Sequence, residues 1–461
     1  MPRRNPNLPP GPSLPAAVQT AHWVTRPLPF LDRARKQYGD IFTIRLLGMG
    51  PMVMVAAPDA IKTIFTGSSD VLLAGEGNAP LSAFVGDNSL LILDRQPHLR
   101  QRRLLLPPFH GERMQSYGTV MRDLADEALD RWPVRTPFSV QPSMQSITLE
   151  VILRTVFGLE EGARKRRLAA SLTQLLNALM TPTVMFFGLI RLDLFRYAPF
   201  LPLSKMKADV DRQIYEEIAH ARRDPKLAER TDILAMMLNA RDEDGRPMTD
   251  VELRDELVTL LVAGHETTAT ALSWALERIA THPEVREKID DELAKVVGEG
   301  PIEPEHVAKL EYLDGVVKES LRTRPILPIV VRRLDAPFQL GEWELPKGVR
   351  VGPCIWLSHH RPESFPEPER FLPERFVGKK VDPYAWFPFG GGIRRCIGMA
   401  FALYEMKIVL ATILQRVRYR LNEPGPLEVV RRSLTLAPQK GTEIVVIEKQ
   451  AAPGRVERAV A

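Results

Sequence analysis

The chain has 461 residues, 44% hydrophobic and 26% charged, a composition that fits a globular protein with a large core. A net charge of +5 is too small to argue for nucleic acid, and the longest basic cluster, Arg164-Lys165-Arg166-Arg167, reads as a solvated helix face. Cys354 and Cys396 are the two cysteines; they exclude a disulfide framework and fit a reducing compartment.

No apolar core follows Met1-Pro2-Arg3-Arg4, so no signal peptide is expected. Leu8-Pro9-Pro10-Gly11-Pro12 makes residues 1–30 a stiff proline-rich lead-in. Short β-branched runs predict strands at Ile41–Leu46 and Pro51–Val55, and helical patterns dominate from Pro97 onward. Leu168 to Ile190 carries no charge over 23 residues. Its Gln174, Asn177, Pro182 and Gly188 make it a poor membrane span, so a helix broken near Pro182 and leading into an apolar loop is expected. Val251 to Ala280 begins polar on one face, then turns apolar on all sides, the pattern of a helix through the interior. Short strands return between Leu334 and Val351 around Gly341 and Gly348. No repeat or linker divides residues 31–450, which are expected to form a single, mainly α domain with small β-sheets, followed by a tail at 451–461.

Cys396 lies in Phe387-Pro388-Phe389-Gly390-Gly391-Gly392-Ile393-Arg394-Arg395-Cys396-Ile397-Gly398, ahead of a helical pattern from Met399 to Val417. Glycines let backbone N–H groups approach the sulfur, the following helix points its positive end at it, and two arginines add charge. Each favours the thiolate, the form that ligates metal. Cys354 sits in an apolar strand-like run and reads as a small core residue. One thiolate without cysteine or histidine partners is not a structural zinc site. A nucleophile and a single axial haem ligand both remain open at this point.

The segment resembles the haem-binding loop of the cytochrome P-450 family, Phe-x-x-Gly-x-Arg-x-Cys-x-Gly, at Phe389, Gly392, Arg394, Cys396 and Gly398. The resemblance continues elsewhere, in the family's order. Glu319-Ser320-Leu321-Arg322 matches its Glu-x-x-Arg motif, a spacing that occurs five times here and is selected only by position. Pro373-Glu374-Arg375-Phe376 follows it, and the resemblance implies a buried structural network of Glu319, Arg322 and Arg375. Ala263-Gly264-His265-Glu266-Thr267-Thr268 is similar to the oxygen-activation motif of the central helix, implying proton delivery by Glu266 and Thr267. A Thr267 hydroxyl bonded to the preceding turn is expected to loosen that helix and free a carbonyl. Haem b also carries two propionates, for which His98, Arg102, Arg332 and Arg394 are the implied partners; Arg333 competes with Arg332.

The resemblance implies a cytochrome P-450-like fold, with a long central helix over a haem held by the Cys396 loop. It further implies O2- and electron-dependent hydroxylation or epoxidation of a hydrophobic small molecule such as a fatty acid, terpenoid or polyketide. The substrate pocket is expected to draw on Leu261, Val262, Ala263, Ile326, Leu327, Ile329 and Val330, within the wider stretches Gly75–Leu93, Leu172–Ile190, Leu260–Thr267, Ile326–Val331 and Leu434–Pro438. No dinucleotide-binding Gly-x-Gly-x-x-Gly and no cysteine set for an iron–sulfur cluster is present. Electrons from NAD(P)H are therefore expected through a separate ferredoxin or flavodoxin with its reductase. A cytoplasmic monomer without an integral membrane anchor is expected. Haem-thiolate peroxygenation or rearrangement, and haem-based binding or sensing, are the alternatives.

Overall fold

Thr249 starts the helix that organises the molecule. Its hydroxyl accepts the Glu252 N–H at 3.2 Å while the Glu252 carboxylate accepts the Thr249 N–H at 2.7 Å. Such a reciprocal cap satisfies two N–H groups that a helix start leaves without partners, and is worth about 1 kcal/mol. The computed structural model describes residues 8–109, 113–179, 201–432 and 434–453. In it the helices that matter for the site are α1 (Arg95–Leu105), α2 (Gln141–Thr155), α3 (Asp250–Ala280), α4 (Glu311–Thr323) and α5 (Met399–Arg416). α3 is buried over most of its length, from Leu253 to Ile279, and packs against α2, α4 and α5 in the main apolar core. The all-round apolar pattern of its sequence is thereby explained.

A smaller β region stands beside the helices. Strands β1 (Ile41–Leu46), β2 (Gly50–Val55), β3 (Leu72–Leu73), β4 (Arg332–Leu334) and β5 (Arg350–Pro353) form one sheet in the order β1-β2-β5-β4-β3. β2 and β5 run parallel and the other neighbours antiparallel, with Arg332 opposite Val351 and Arg333 opposite Arg350. The proline-rich opening belongs to this region: Pro9 and Pro10 carbonyls accept from Thr43, and Trp23 of the helix Ala16–Thr25 is buried. The uncharged stretch begins in the helix Ala163–Leu179, and the expected break at Pro182 lies outside the described residues. Among the described residues no helix is long and apolar enough to cross a membrane.

α3 also buries Glu256 completely. Burial, with Asp255 and Glu252 adding, pushes its carboxyl up to about 8, and the Leu90 N–H opposes this only in part. An unfolded glutamate ionises near 4.5, so between these values the native state binds more protons than the unfolded one. Stability contributed by this group is therefore present at low pH and lost as pH rises toward 8, by up to about 1.4 kcal/mol per pH unit. Glu256→Gln is expected to flatten that fall when urea midpoints are measured from about pH 5.5 to about pH 8. An unchanged slope would show that Glu256 is ionised in the native state.

Candidate haem-thiolate site

The cysteine loop is shaped by its backbone. Gly392 has φ +63°, and a Cβ there would lie 2.1 Å from the Phe65 carbonyl oxygen, so only glycine fits. The Cys396 N–H donates to the Phe389 carbonyl at 2.9 Å, closing the loop just before α5. Cys396 is exposed on one side and walled by protein on the others. That crowding pushes its thiol up, against the Gly398 N–H and the Arg102 and Arg395 charges, which pull it down. The lowering groups expected from the sequence are present, and desolvation outweighs them.

Four side chains converge beside this cysteine. Arg394 donates to the carbonyls of Leu90 (3.1 Å) and Leu93 and to the Asp94 carboxylate. Asp94 in turn accepts the N–H groups of Gly75 and Glu76 at 2.9 and 3.0 Å. His98, from α1, is buried and its Nδ1 has no hydrogen-bond partner among the described residues. Burial, then the charges of Arg394, Arg102 and Arg332, depresses its imidazole to about 3. Arg332 is 7% exposed and, among the described residues, donates only to the adjacent Val331 carbonyl. Its guanidinium is depressed to about 10, by burial first and then by Arg394. Arg102 is likewise lowered by burial, with Cys396 opposing. Neither Arg102 nor Arg332 has a carboxylate partner among the described residues. Successive strand residues point to opposite faces, and Arg333 accordingly leaves the cluster for Glu76, 3.3 Å away.

Buried guanidinium groups without counter-ions are costly, and a ligand carrying two carboxylates relieves that cost. Haem has two propionates and an iron that takes one thiolate, so the residues present fit it.

Behind the loop, Glu319 and Arg322 are both fully buried and form a two-pronged ion pair at 2.7 Å per contact. Arg322 also donates to the carbonyls of His359 (2.8 Å) and Arg370 (3.0 Å), and Arg375 approaches Glu319 at 3.4 Å. The His359 ring accepts the Phe387 N–H at 3.0 Å, and Trp386 donates to the Lys318 carbonyl at 3.2 Å. The network is thus tied directly to the cysteine loop. Asp94 and His359 have no sequence signal that would have found them: each acts through a partner distant in the chain.

On α3, Leu260, Ala263 and Thr267 recur at helical spacing and are open or half-open, while flanking turns are buried. Gly264 faces α2 instead, where a Cβ would come 3.2 Å from Ile152. The Thr267 hydroxyl donates to the Ala263 carbonyl, yet α3 continues unbroken to Ala280. The expected loosening does not occur, because that hydroxyl occupies the carbonyl it was to free. Glu266 is 5% exposed and turned toward α2, where Gln145 donates to it at 2.7 Å. Its hydrogen bonds run to Gln145 and Thr270, whereas that of Thr267 runs to the Ala263 carbonyl. Of the expected pocket residues, Ala263 is open, while Val262, Leu327, Ile329 and Val330 are half-buried. Ile326 is buried in the core, and Leu261 is buried against a small cavity lined also by Leu172, Leu175 and Val210.

A thiol on a glycine-bent loop, a buried Glu–Arg network behind it and a long helix with an open stripe define a haem-thiolate protein, and the comparisons agree. The sequence profile described as Cytochrome P450 matches residues 6–445. The chain is 42% identical over 439 residues to "Putative cytochrome P450 135B1" of Mycobacterium tuberculosis, covering 95% of this chain and 91% of that one. It is 37% identical over 445 residues to "Putative cytochrome P450 138" of Mycobacterium bovis, with 95% and 96% covered. The solved structure described as retinoic acid bound cyanobacterial CYP120A1 superposes with a TM-score of 0.82 at 26% identity, over 96% of this chain and 99% of that one. The cytochrome P450DA heme domain gives the same TM-score at 23% identity, over 96% and 98%, which supports the fold alone. The chain belongs to the cytochrome P450 family. It is a haem-thiolate monooxygenase that works with a redox partner.

Proposed function

We propose that Cys396 ligates the haem iron through Sγ, that His98, Arg102, Arg332 and Arg394 hold the propionates, and that the open stripe of α3 faces an apolar substrate. The observation that carries this reading is the cluster at an open thiol in which buried Arg332 and half-buried Arg102 have no carboxylate partner among the described residues, beside the buried ring of His98. When bound, thiolate-ligated haem supplies dioxygen activation and transfer of one oxygen atom to the substrate. The chain's own residues do the rest. Arg332 and Arg102 neutralise the propionates, and Arg394, fixed by Asp94, closes the loop 90–94 over the same edge. Ala263 leaves room on α3 for a small reactant, Thr267 presents a hydroxyl oxygen beside it, and Glu266 carries protons in from the side of α2.

The substrate is a hydrophobic small molecule, a fatty acid, terpenoid or polyketide. Val262, Leu327 and Val330 supply apolar surface, and the solved cyanobacterial relative is described with retinoic acid bound. Electrons come from NAD(P)H through a separate ferredoxin or flavodoxin with its reductase, and the protein acts as a monomer in the cytoplasm. Retention of both Glu266 and Thr267 favours the oxygen-dependent reaction over peroxygenation.

Cys396→His is expected to keep some haem but lose the red-shifted Soret band of the reduced carbon monoxide complex, which reports thiolate ligation. Loss of that band in Cys354→Ser instead would overturn the assignment; Cys354 is buried, with its thiol pushed up to about 12 by burial. A ligand library read by the low-to-high-spin shift then narrows the substrate class.

A further inference from the structure

Glu266 is held by a small polar chain between α2 and α3. Gln145 Nε2 donates to its Oε2 at 2.7 Å, and the Thr270 hydroxyl donates to its Oε1 at 3.4 Å. Gln141 donates to the Thr270 hydroxyl at 3.2 Å. The two branches end differently. Thr270 and Gln141 are 0% and 2% exposed, and Gln141 Oε1 has no partner among the described residues, so that branch leads inward. Gln145 is half-buried, and its neighbours Pro142 and Ser146 are exposed. The Gln145 branch therefore leads from buried Glu266 toward the surface of α2.

We propose that Gln145 is a positioning residue for Glu266, holding its carboxylate at the solvent-side mouth of a proton path between α2 and α3. This rests on the reading of Glu266 as the proton carrier. A hydronium ion or buffer acid at the surface gives its proton to the Glu266 carboxylate, leaving water or the buffer's conjugate base in solvent. The protonated carboxyl breaks its contact with Gln145, delivers that proton toward the open stripe of α3, and returns as carboxylate to the same amide. The 2.7 Å contact is a hydrogen bond to a charged acceptor, among the stronger kinds, so its loss leaves the carboxylate without a fixed orientation. Misplacing a transfer group by about 1 Å can cost as much as ~10²-fold, and a tenfold loss is expected here.

The test compares Gln145→Leu, Gln145→His, Glu266→Gln and the double variant Gln145→Leu/Glu266→Gln as haem-loaded proteins. The readouts are product formed per electron consumed and the solvent deuterium isotope effect on product formation. A third readout is independent of turnover: the Glu266 carboxylate band, found as the infrared difference between the wild type and Glu266→Gln. Gln145→Leu is expected to lower coupling about tenfold, raise the isotope effect and shift that band, with the spin shift on adding substrate unchanged. Gln145→His, which restores an N–H at similar reach, is expected to recover most of the coupling. The double variant is expected to match Glu266→Gln alone. If Glu266→Gln lowers coupling but Gln145→Leu behaves as wild type, the positioning role is wrong and the acid reading stands. If Glu266→Gln changes nothing, the acid reading falls and this inference with it. Additive losses in the double variant would overturn the inference by placing Gln145 in a separate process.

Discussion

Arg322→Ala is expected to destabilise the protein by roughly 3–5 kcal/mol, the cost of stranding a buried charge. Both members of the Glu319–Arg322 pair are fully buried, and Arg322 also satisfies the carbonyls of His359 and Arg370. Truncation leaves Glu319 with the Leu372 N–H at 2.9 Å and the more distant Arg375. Against a native stability of about 5–15 kcal/mol, a loss of this size is a large fraction of the whole. Little haem-loaded protein should accumulate, and what does should unfold at lower urea. Arg102→Ala, at the other side of the cysteine, should keep its urea midpoint and lose haem faster to an apoprotein acceptor. Replacing both Glu319 and Arg322 by apolar residues of similar volume should cost less than Arg322→Ala alone, since no buried carboxylate is stranded and Arg375 keeps the Pro366 and Glu367 carbonyls as acceptors. Normal yield and midpoint for Arg322→Ala would sink the structural role.

That pair also shows what sequence can and cannot convey. Five Glu-x-x-Arg spacings occur in the chain, and spacing alone does not rank them. The structure does: Glu367–Arg370 makes the same i, i+3 contact with both side chains more than 60% exposed, where it is worth little, while Glu319–Arg322 is sealed. Position relative to the central helix and the cysteine loop singles out the sealed pair, because chain order is a property of the whole fold. The choice between Arg332 and Arg333 could not be made that way. It depends on which face of β4 turns toward α1, and only strand pairing fixes that. Asp94, His359 and Gln145 were invisible for a related reason: each contributes one hydrogen bond to a residue far along the chain, and no local pattern marks such a bond. Even Glu266, whose charge in an apolar stretch is conspicuous, is legible in the sequence as a buried carboxylate but not in its direction. Adjacent helix positions point about 100° apart, and tertiary packing sends Glu266 to α2 while Thr267 stays on the open stripe.

That separation sharpens what Thr267→Ala should do. The Thr267 hydroxyl donates its proton to the Ala263 carbonyl within its own helix, which fixes the oxygen and leaves it free to act as an acceptor. In that position it can accept a hydrogen bond from a bound reactant or from a water that links it to Glu266. Removing it should leave α3 intact, because the helix is continuous there and its backbone ladder does not need the side chain. Haem content, the spin shift on substrate addition and electron uptake should stay near wild type. Loss of a group that orders proton transfer typically costs ~10²–10⁴ in the step it serves. The loss should appear as a fall in product formed per reduced nicotinamide consumed, with peroxide rising to match. Thr267→Ser should retain most coupling, since it keeps the hydroxyl. Thr268→Ala is the control: its side chain is 4% exposed, buried away from the stripe, so it should cost stability rather than coupling. Unchanged coupling in Thr267→Ala, or equal losses in the two alanine variants, would remove this threonine from proton delivery and leave Glu266 with ordered water as the route.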